Sequence, residues 1–241
     1  YAFFFCTGLT GSLVIPDSVT TIGIGVFSMG FGGNAFSGPL TIGNSVTSIG
    51  SYAFYYCSGL NGSLTIPDSV TTIEDGAFGG CTGFNGSLTI GNSVTSIGSN
   101  AFFYCGGLTG SLVIPDSVTT IGSYAFMYCS GLTGDLIIPD SVTSIEGQAF
   151  SNCSGFDGNL TISSNPNLTE ITNFVFNGCS SLTGVLDIPD NITVIDNNAF
   201  NGCSSFTSLV LPNNPSFNTI AGRAFSNCTS MTGVLDIPSN V

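Results

Sequence analysis

The sequence predicts a solenoid with a parallel sheet, mostly β with little helix, made of about nine turns of 23–27 residues. Three observations predict it. A unit opening on Leu recurs along all 241 residues, with spacings of 24 residues in its central part. Most units close on the motif A-F-x-x-C, and no unit holds a ten-residue stretch of helical periodicity. Fixed-period self-similarity is the mark of repeat architectures.

Each unit begins with a short strand. In residues 64–66, Leu and Ile alternate with a polar Thr, which is the period of a strand with one buried face. Pro67 follows and cannot donate to a ladder, so it ends this opening strand, and the next residues read as a turn. Val70 and Ile73 then return to the core in a second extended piece. Ala77 and Phe78 form another pair of inward anchors.

One unit cannot fold alone. About six large apolar side chains stabilise it by ~12 kcal/mol on burial, whereas ordering its backbone costs roughly 24 kcal/mol or more. Stacking of neighbouring turns closes that gap, so residues 1–241 are predicted to form a single solenoid. The chain begins at YAFFFC, the middle of a unit, and ends at LDIPSNV, the start of another. We therefore expect a segment of a longer array, with capping and anchoring regions elsewhere, and possible end-to-end self-association.

The charge inventory limits the partners. One Lys or Arg stands against fourteen acidic residues, and the net charge is −13. Binding to nucleic acid and attraction to anionic membranes both need basic side chains, so neither partner is expected. No run of 18 apolar residues occurs, which argues against membrane insertion of this segment.

The nine cysteines occupy one repeat position, three residues after a Phe. A disulfide ladder would need Cβ atoms ~3.8 Å apart, whereas stacked parallel positions keep them about 5 Å apart. Zinc needs four ligands in a tetrahedron, which a straight row of single thiols cannot supply. We therefore predict that each cysteine is a small buried hydrophobe.

No catalytic group stands out. The chain has no His and no Lys, which excludes most nucleophile–base pairs and Schiff-base chemistry. Carboxylate pairs could still act as in glycoside cleavage, and the densest acidic groups are Glu74–Asp75 and Asp187 with Asp190 and Asp196. A solvated acidic face explains them better. The expectation is a protein that is not an enzyme and needs no cofactor.

Two further polar rows are predicted by the repeat. The turn after the proline carries Asp or Asn, and stacked oxygens there could bind calcium or could simply bond to nearby backbone. This row comprises Asp17, Asn44, Asp68, Asn92, Asp116, Asp140, Asp190 and Asn213. A threonine row could present a flat surface to ice or could belong to polar strand edges, where Thr suits β structure. Its members are Thr20, Thr47, Thr71, Thr95, Thr119, Thr143, Thr169 and Thr193.

The unit L-x-I-P-D-S-V-T-x-I-G-x-x-A-F-x-x-C-x-x-L closely resembles the BspA-like leucine-rich repeats, also called the Treponema pallidum type. The match covers essentially the whole chain. The resemblance implies a leucine-rich-repeat solenoid of the α-β horseshoe class, on secreted or surface proteins of host-associated bacteria and some protozoa, with links to adhesion. It implies no catalytic residues.

The expected function is therefore a non-catalytic, extracellular or cell-surface interaction module that adheres to host or cell-surface proteins or glycans through its repeat sheet. The alternative is a structural spacer that holds another domain away from the cell. The candidate ligand contacts are the outward residues between the Leu and Ile of the opening strands. They are Val14, Thr41, Thr65, Thr89, Val113, Ile137, Thr161, Asp187, Val210 and Asp236.

Overall fold

The computed structural model describes residues 1–30 and 35–241, and in these residues it contains seventeen short strands and no helix. The extra residues expected in a loop at 31–34 lie outside the described part. The strands are β1 Leu13–Ile15, β2 Thr21–Ile22, β3 Leu40–Ile42, β4 Ser48–Ile49, β5 Gly62–Thr65, β6 Thr72–Ile73, β7 Phe84–Thr89, β8 Ser96–Ile97, β9 Thr120–Ile121, β10 Leu136–Ile137, β11 Ser144–Ile145, β12 Leu160–Thr161, β13 Glu170–Ile171, β14 Gly184–Asp187, β15 Val194–Ile195, β16 Phe206–Val210 and β17 Thr219–Ile220.

All named strand pairs are parallel, and each joins equivalent positions of neighbouring turns. Leu13 pairs with Leu40, and Leu64 pairs with Leu88. The opening strands pair two by two, as β1–β3, β5–β7, β10–β12 and β14–β16. The second strands form longer sheets, a six-stranded one running β2-β4-β6-β8-β9-β11 and a three-stranded one running β13-β15-β17. The predicted parallel β-solenoid is confirmed.

The location of the continuous sheet differs from the expectation, which placed it on the opening strands. A proline usually follows the opening strand and cannot donate a hydrogen bond, so that ladder is short. The second strand is bounded by residues that do donate to the previous turn. The Thr47 amide bonds the Thr20 carbonyl at 2.8 Å, and the Gly50 amide bonds the Ile22 carbonyl at 2.8 Å.

A spine of stacked phenylalanine rings fills the core. Successive rings lie nearly parallel with centroids 5.1–5.8 Å apart. The spine runs through Phe27, Phe54, Phe78, Phe102, Phe126, Phe150, Phe176, Phe200 and Phe225. The Leu, Ile, Val and Ala of each central unit pack around it and are buried.

The A-F-x-x-C segment alternates between two kinds of hydrogen bond, which is why it is not a helix. The amides of Gly76, Phe78 and Gly80 donate to carbonyls of the following turn at 2.7–2.8 Å, while the amides of Ala77 and Cys81 bond three residues back within their own turn. A helix would use every amide internally. The residues before the Ala and before the Cys have positive φ, for example 63° at Gly76 and 75° at Gly80.

The six-stranded sheet ends at β11. Two extra residues stand in the next unit, within residues 163–166. Asn191 holds this insertion in place, because its Nδ2 donates to the carbonyls of Ser163, Asn165 and Leu168 at 2.6–3.2 Å.

In the described residues no helix is long and apolar enough to cross a bilayer.

Candidate interaction surface

The ten outward residues of the opening strands are all solvent-exposed. Eight lie within strands, whereas Val113 and Asp236 lie in extended segments outside them. Register pairs bring four couples side by side, namely Val14 with Thr41, Thr65 with Thr89, Ile137 with Thr161, and Asp187 with Val210. We call the ten residues the outward row. Their role in ligand contact stays a prediction.

The outward row changes character along the solenoid. Four aliphatic side chains are 49–68% exposed, those of Val14, Val113, Ile137 and Val210. Threonines stand between them, and acid appears only at Asp187 and Asp236 in the last part of the chain. Such a row offers apolar and hydroxyl contacts, and one net negative charge at each of two positions.

A second row, of exposed or half-buried side chains, was missed by the sequence reasoning. It lies on the six-stranded sheet, where small hydroxyl side chains face outward beside each buried Ile. The recurring T-T-I and T-S-I triplets carry the signal. Its members are Thr21, Ser48, Thr72, Ser96, Thr120 and Ser144.

The predicted threonine row has a structural role. The Thr71 hydroxyl donates to the Thr47 carbonyl at 3.2 Å, and the Thr95 hydroxyl donates to the Thr71 carbonyl at 3.1 Å. Equivalent bonds run from one turn to the turn before it in four further pairs, namely Thr47 to Thr20, Thr119 to Thr95, Thr143 to Thr119, and Thr193 to Thr169. Six of the eight threonines therefore donate their hydroxyl proton to the solenoid backbone, which supports the strand-edge interpretation over an ice-binding one.

A small polar cleft of about 200 Å³ lies where the six-stranded sheet ends. Thr143, Ser144, Thr169 and Glu170 are among its lining residues. It is too small for an organic ligand of ordinary size, since such sites measure ~300–1,000 Å³.

The aspartates after the prolines act as caps between turns. Asp17 accepts from the Asn44 amide at 2.7 Å, and Asp68 accepts from the Asn92 amide at 2.7 Å. Asp140 and Asp190 do the same for Ser164 and Asn213. The next turn carries a neutral residue at this repeat position after Asp17, Asp68, Asp140 and Asp190, whereas Asp116 is followed by Asp140. In the part of the chain that the structure describes, no three Cys, Asp or Glu side chains gather as a metal site would require.

The other acidic groups weighed as catalytic pairs are likewise exposed or engaged in turns. Asp75 accepts from the Ser99 amide at 2.8 Å, and Glu74 accepts from the Ser51 hydroxyl at 3.4 Å. Asp196 accepts from the amide of its neighbour Asn197 at 2.6 Å. These carboxylates cap turns.

The cysteines form a ladder of thiol–carbonyl hydrogen bonds through the core. The Cys81 thiol donates to the Phe54 carbonyl at 3.0 Å, and the Cys105 thiol donates to the Phe78 carbonyl at 3.2 Å. The same bond recurs at every cysteine from Cys57 to Cys228. All nine are free thiols. The prediction of buried, unbridged cysteines is confirmed for the seven from Cys57 to Cys203, whereas Cys6 and Cys228 are only partly buried.

Burial also suppresses thiol ionisation. It raises the pKa of Cys57, Cys105 and Cys179 to about 12, and it raises the pKa of Cys228, which is only partly buried, to about 11. Because the thiolate is the nucleophile, these cysteines are unreactive at neutral pH.

We expect a thiol reagent at pH 7.5 to label Cys6 rapidly, Cys228 slowly, and the seven buried cysteines only on unfolding. Counting labelled thiols by mass spectrometry, with and without denaturant and without any reductant, checks this. Rapid labelling of Cys129 in the native protein would contradict the buried ladder. Fewer than nine labelled thiols in denaturant would reveal disulfides.

The family model described as the BspA type leucine rich repeat region matches residues 1–133 and 133–241, with 6 copies. No curated protein sequence matches the chain. Among solved structures, the T. pallidum leucine rich repeat protein is 24% identical, with a TM-score of 0.52, and the match covers 92% of this chain and 83% of that one. This likeness supports the fold alone.

A leucine rich cell surface protein from Faecalibacterium prausnitzii is 28% identical, with a TM-score of 0.49 and coverage of 92% and 78%. A leucine-rich repeat protein from Eubacterium ventriosum is 20% identical, with a TM-score of 0.48 and coverage of 95% and 79%. The family model spans the whole chain and agrees with the repeat fold. The chain belongs to the BspA-type leucine-rich repeat family.

Proposed function

We propose that the chain is a non-catalytic interaction module of a cell-surface or secreted bacterial protein, which adheres to a host or cell-surface protein or glycan through the outward row. The observation that carries the proposal is the row itself. It presents ten exposed side chains at one repeat position, and four of them are aliphatic residues that a purely polar surface would not need.

The chemistry of the row favours weak contacts that repeat. Val, Ile and Thr side chains are not the usual hot spots of tight interfaces, which are rich in Trp, Tyr and Arg. Many equivalent weak contacts on one rigid scaffold gain strength through effective concentration. The alternative is a structural spacer, and it is favoured by the near-identical threonines at Thr41, Thr65, Thr89 and Thr161.

The test is surface plasmon resonance of the purified monomeric chain over fibronectin, fibrinogen, collagen and a glycan panel, at low and physiological salt. One variant carries Asp187→Lys and Asp236→Lys. Asp116→Lys serves as the matched control, because it reverses an exposed charge outside the row. We expect saturable binding that the double variant weakens about tenfold or more and the control leaves unchanged. Absence of binding to every surface would favour the spacer.

A further inference from the structure

A cluster of tyrosines lies on the A-F-x-x-C turns, away from the outward row. Tyr55 and Tyr56 stand in one turn with ring centroids 4.5 Å apart, and Tyr104 and Tyr128 stand in two later turns with centroids 4.5 Å apart. Tyr52 and Tyr104 are 42% and 46% exposed. Tyrosine is enriched in binding sites because it supplies a rigid, amphipathic surface at small entropic cost.

A turn rich in glycine separates the two halves of this cluster. It reads EDGAFGGC over residues 74–81. A Cβ on Gly76 would lie 2.5 Å from the Tyr52 ring, and a Cβ on Gly80 would lie 2.6 Å from the Tyr56 ring. The glycines therefore let these rings lie flat over the following turn, which ordinary side chains would prevent.

A cleft of about 480 Å³ opens between the two halves. Its lining residues are Tyr55, Tyr56, Gly80, Thr82, Phe103 and Tyr104. Equivalent positions two turns apart are separated by ~9.6 Å along the solenoid. Four of the six lining residues are aromatic, and no charged side chain lines the cleft.

The backbone at these tyrosines is unusual and costly. Tyr52, Tyr56, Tyr104, Tyr124 and Tyr128 all have φ between 58° and 62°. Positive φ disfavours bulky residues, and Gly or Asn suit it far better. The same repeat positions hold Gly76, Gly80, Gly178, Gly202, Asn100, Asn152, Asn198 and Asn227 in other turns, all with positive φ. Phe5, Gln148, Phe174 and Arg223 also occupy these positions with positive φ, so the left-handed backbone belongs to every turn, and residues 52–128 differ from the other turns in their concentration of tyrosines.

Charge decides which flat group suits the cleft. The chain carries a net charge of −13, and its single basic residue, Arg223, lies in a turn far along the solenoid. Exposed Glu74 and Asp75 begin the turn that contributes Gly80 to the lining of the cleft. A negative field raises the local concentration of cations. Guanidinium is planar, weakly hydrated and stacks on aromatic faces, and cations are attracted to the faces of tyrosine rings.

We propose that this cleft binds an arginine side chain of a basic segment in a partner protein, with the guanidinium against the Tyr56 and Tyr104 rings. The proposal does not rest on the outward row, and the two are tested by different variants. Specificity for Arg over Lys follows from the guanidinium, which is planar and stacks on aromatic faces, whereas the ammonium of Lys is a compact and strongly hydrated charge.

The test uses capped heptapeptides of alternating Gly and Arg, and the same peptides with Lys or Gln in place of Arg. Binding is followed by tyrosine fluorescence, which Trp does not obscure because the chain has none, and by calorimetry at physiological salt. Tyr104→Gly removes one wall at a position where glycine is favoured, so we expect it to fold at least as stably as the parent. Phe174→Gly is the matched control, because it removes an aromatic ring at φ 54° outside the cleft.

We expect the Arg peptide to bind at least fivefold more tightly than the Lys peptide, and the Gln peptide to show no binding. Tyr104→Gly should weaken Arg-peptide binding about tenfold, Phe174→Gly should change it less than twofold, and Tyr104→Phe should retain it. Equal binding of the Arg and Lys peptides, or undiminished binding by folded Tyr104→Gly, would overturn the proposal. Binding of a neutral oligosaccharide that depends on Tyr104, without Arg-peptide binding, would assign the cleft to glycans instead.

Discussion

Raising the pH from 7.5 to 10 should lower the free energy of unfolding of this protein by ~4 kcal/mol or more. An ordinary cysteine titrates near 9.0, whereas burial raises the pKa of Cys57, Cys105 and Cys179 to about 12 in the folded chain. Below pH 9 both states keep their protons, so stability is unaffected. Between pH 9 and 12 the unfolded chain binds fewer protons than the folded chain, so the free energy of unfolding falls as pH rises.

The size of the effect follows from the number of thiols. At pH 10 each of these three thiols lowers the free energy of unfolding by ~1.4 kcal/mol relative to neutral pH, and the three together lower it by about 4 kcal/mol. The pKa values of Cys81, Cys129, Cys153 and Cys203 are also well above 9.0 and act in the same direction. Total stabilities are commonly ~5–15 kcal/mol, so this loss is a large fraction of the total.

Urea unfolding in the presence of reductant, at several pH values up to 10, measures the effect. At this limit Tyr56 still keeps its proton in the folded chain, since its pKa is raised to about 12. Cys105→Ser is the control, because its hydroxyl can still donate to the Phe78 carbonyl but does not titrate. It should lower the slope above pH 9.5 by ~1.4 kcal/mol per pH unit. A urea midpoint that does not change between pH 7.5 and 10 would contradict the ladder.

Features that repeat at a fixed period could be predicted from the sequence. Leu64 and Leu88 pair in register because stacked turns place equivalent residues side by side. Cys105 and its equivalents could be assigned to the core because a straight row of thiols suits neither disulfides nor zinc. The exposed outward row followed from the strand period alone.

The sheet position and the tyrosine cleft could not be predicted in the same way. A ladder of strands is continuous when the residues on both sides of each strand have amides that donate to the neighbouring turn, as Thr47 and Gly50 do. The hydrophobic pattern of the strand does not decide this. The cleft combines Tyr56, Gly80 and Tyr104 from three successive turns, so no local motif marks it. The positive φ of these three residues could not be predicted from the sequence either, because Gly and Tyr occupy the same repeat position.

Removing one ring from the middle of the phenylalanine spine should cost more than any other single truncation in the chain. Phe126 has no exposed surface and stacks on Phe102 at 5.2 Å and on Phe150 at 5.3 Å. Phe126→Ala should lower the free energy of unfolding by ~3–5 kcal/mol, the usual cost of emptying a buried phenylalanine site. Urea unfolding at pH 7, followed by circular dichroism, measures the loss.

The position of the defect matters as much as its size, since each turn of a solenoid contacts only its neighbours. Phe225→Ala is the matched control, because Phe225 is half-buried and ends the spine with one stacking partner, Phe200, at 5.4 Å. Phe225→Ala should lower the free energy of unfolding by less than half as much as Phe126→Ala, and its unfolding should remain one cooperative transition. Phe126→Ala should instead weaken the coupling between the turns before and after it, which broadens or splits the transition. Equal losses for the two variants, with equally sharp transitions, would mean that the spine does not carry the cooperativity of the fold.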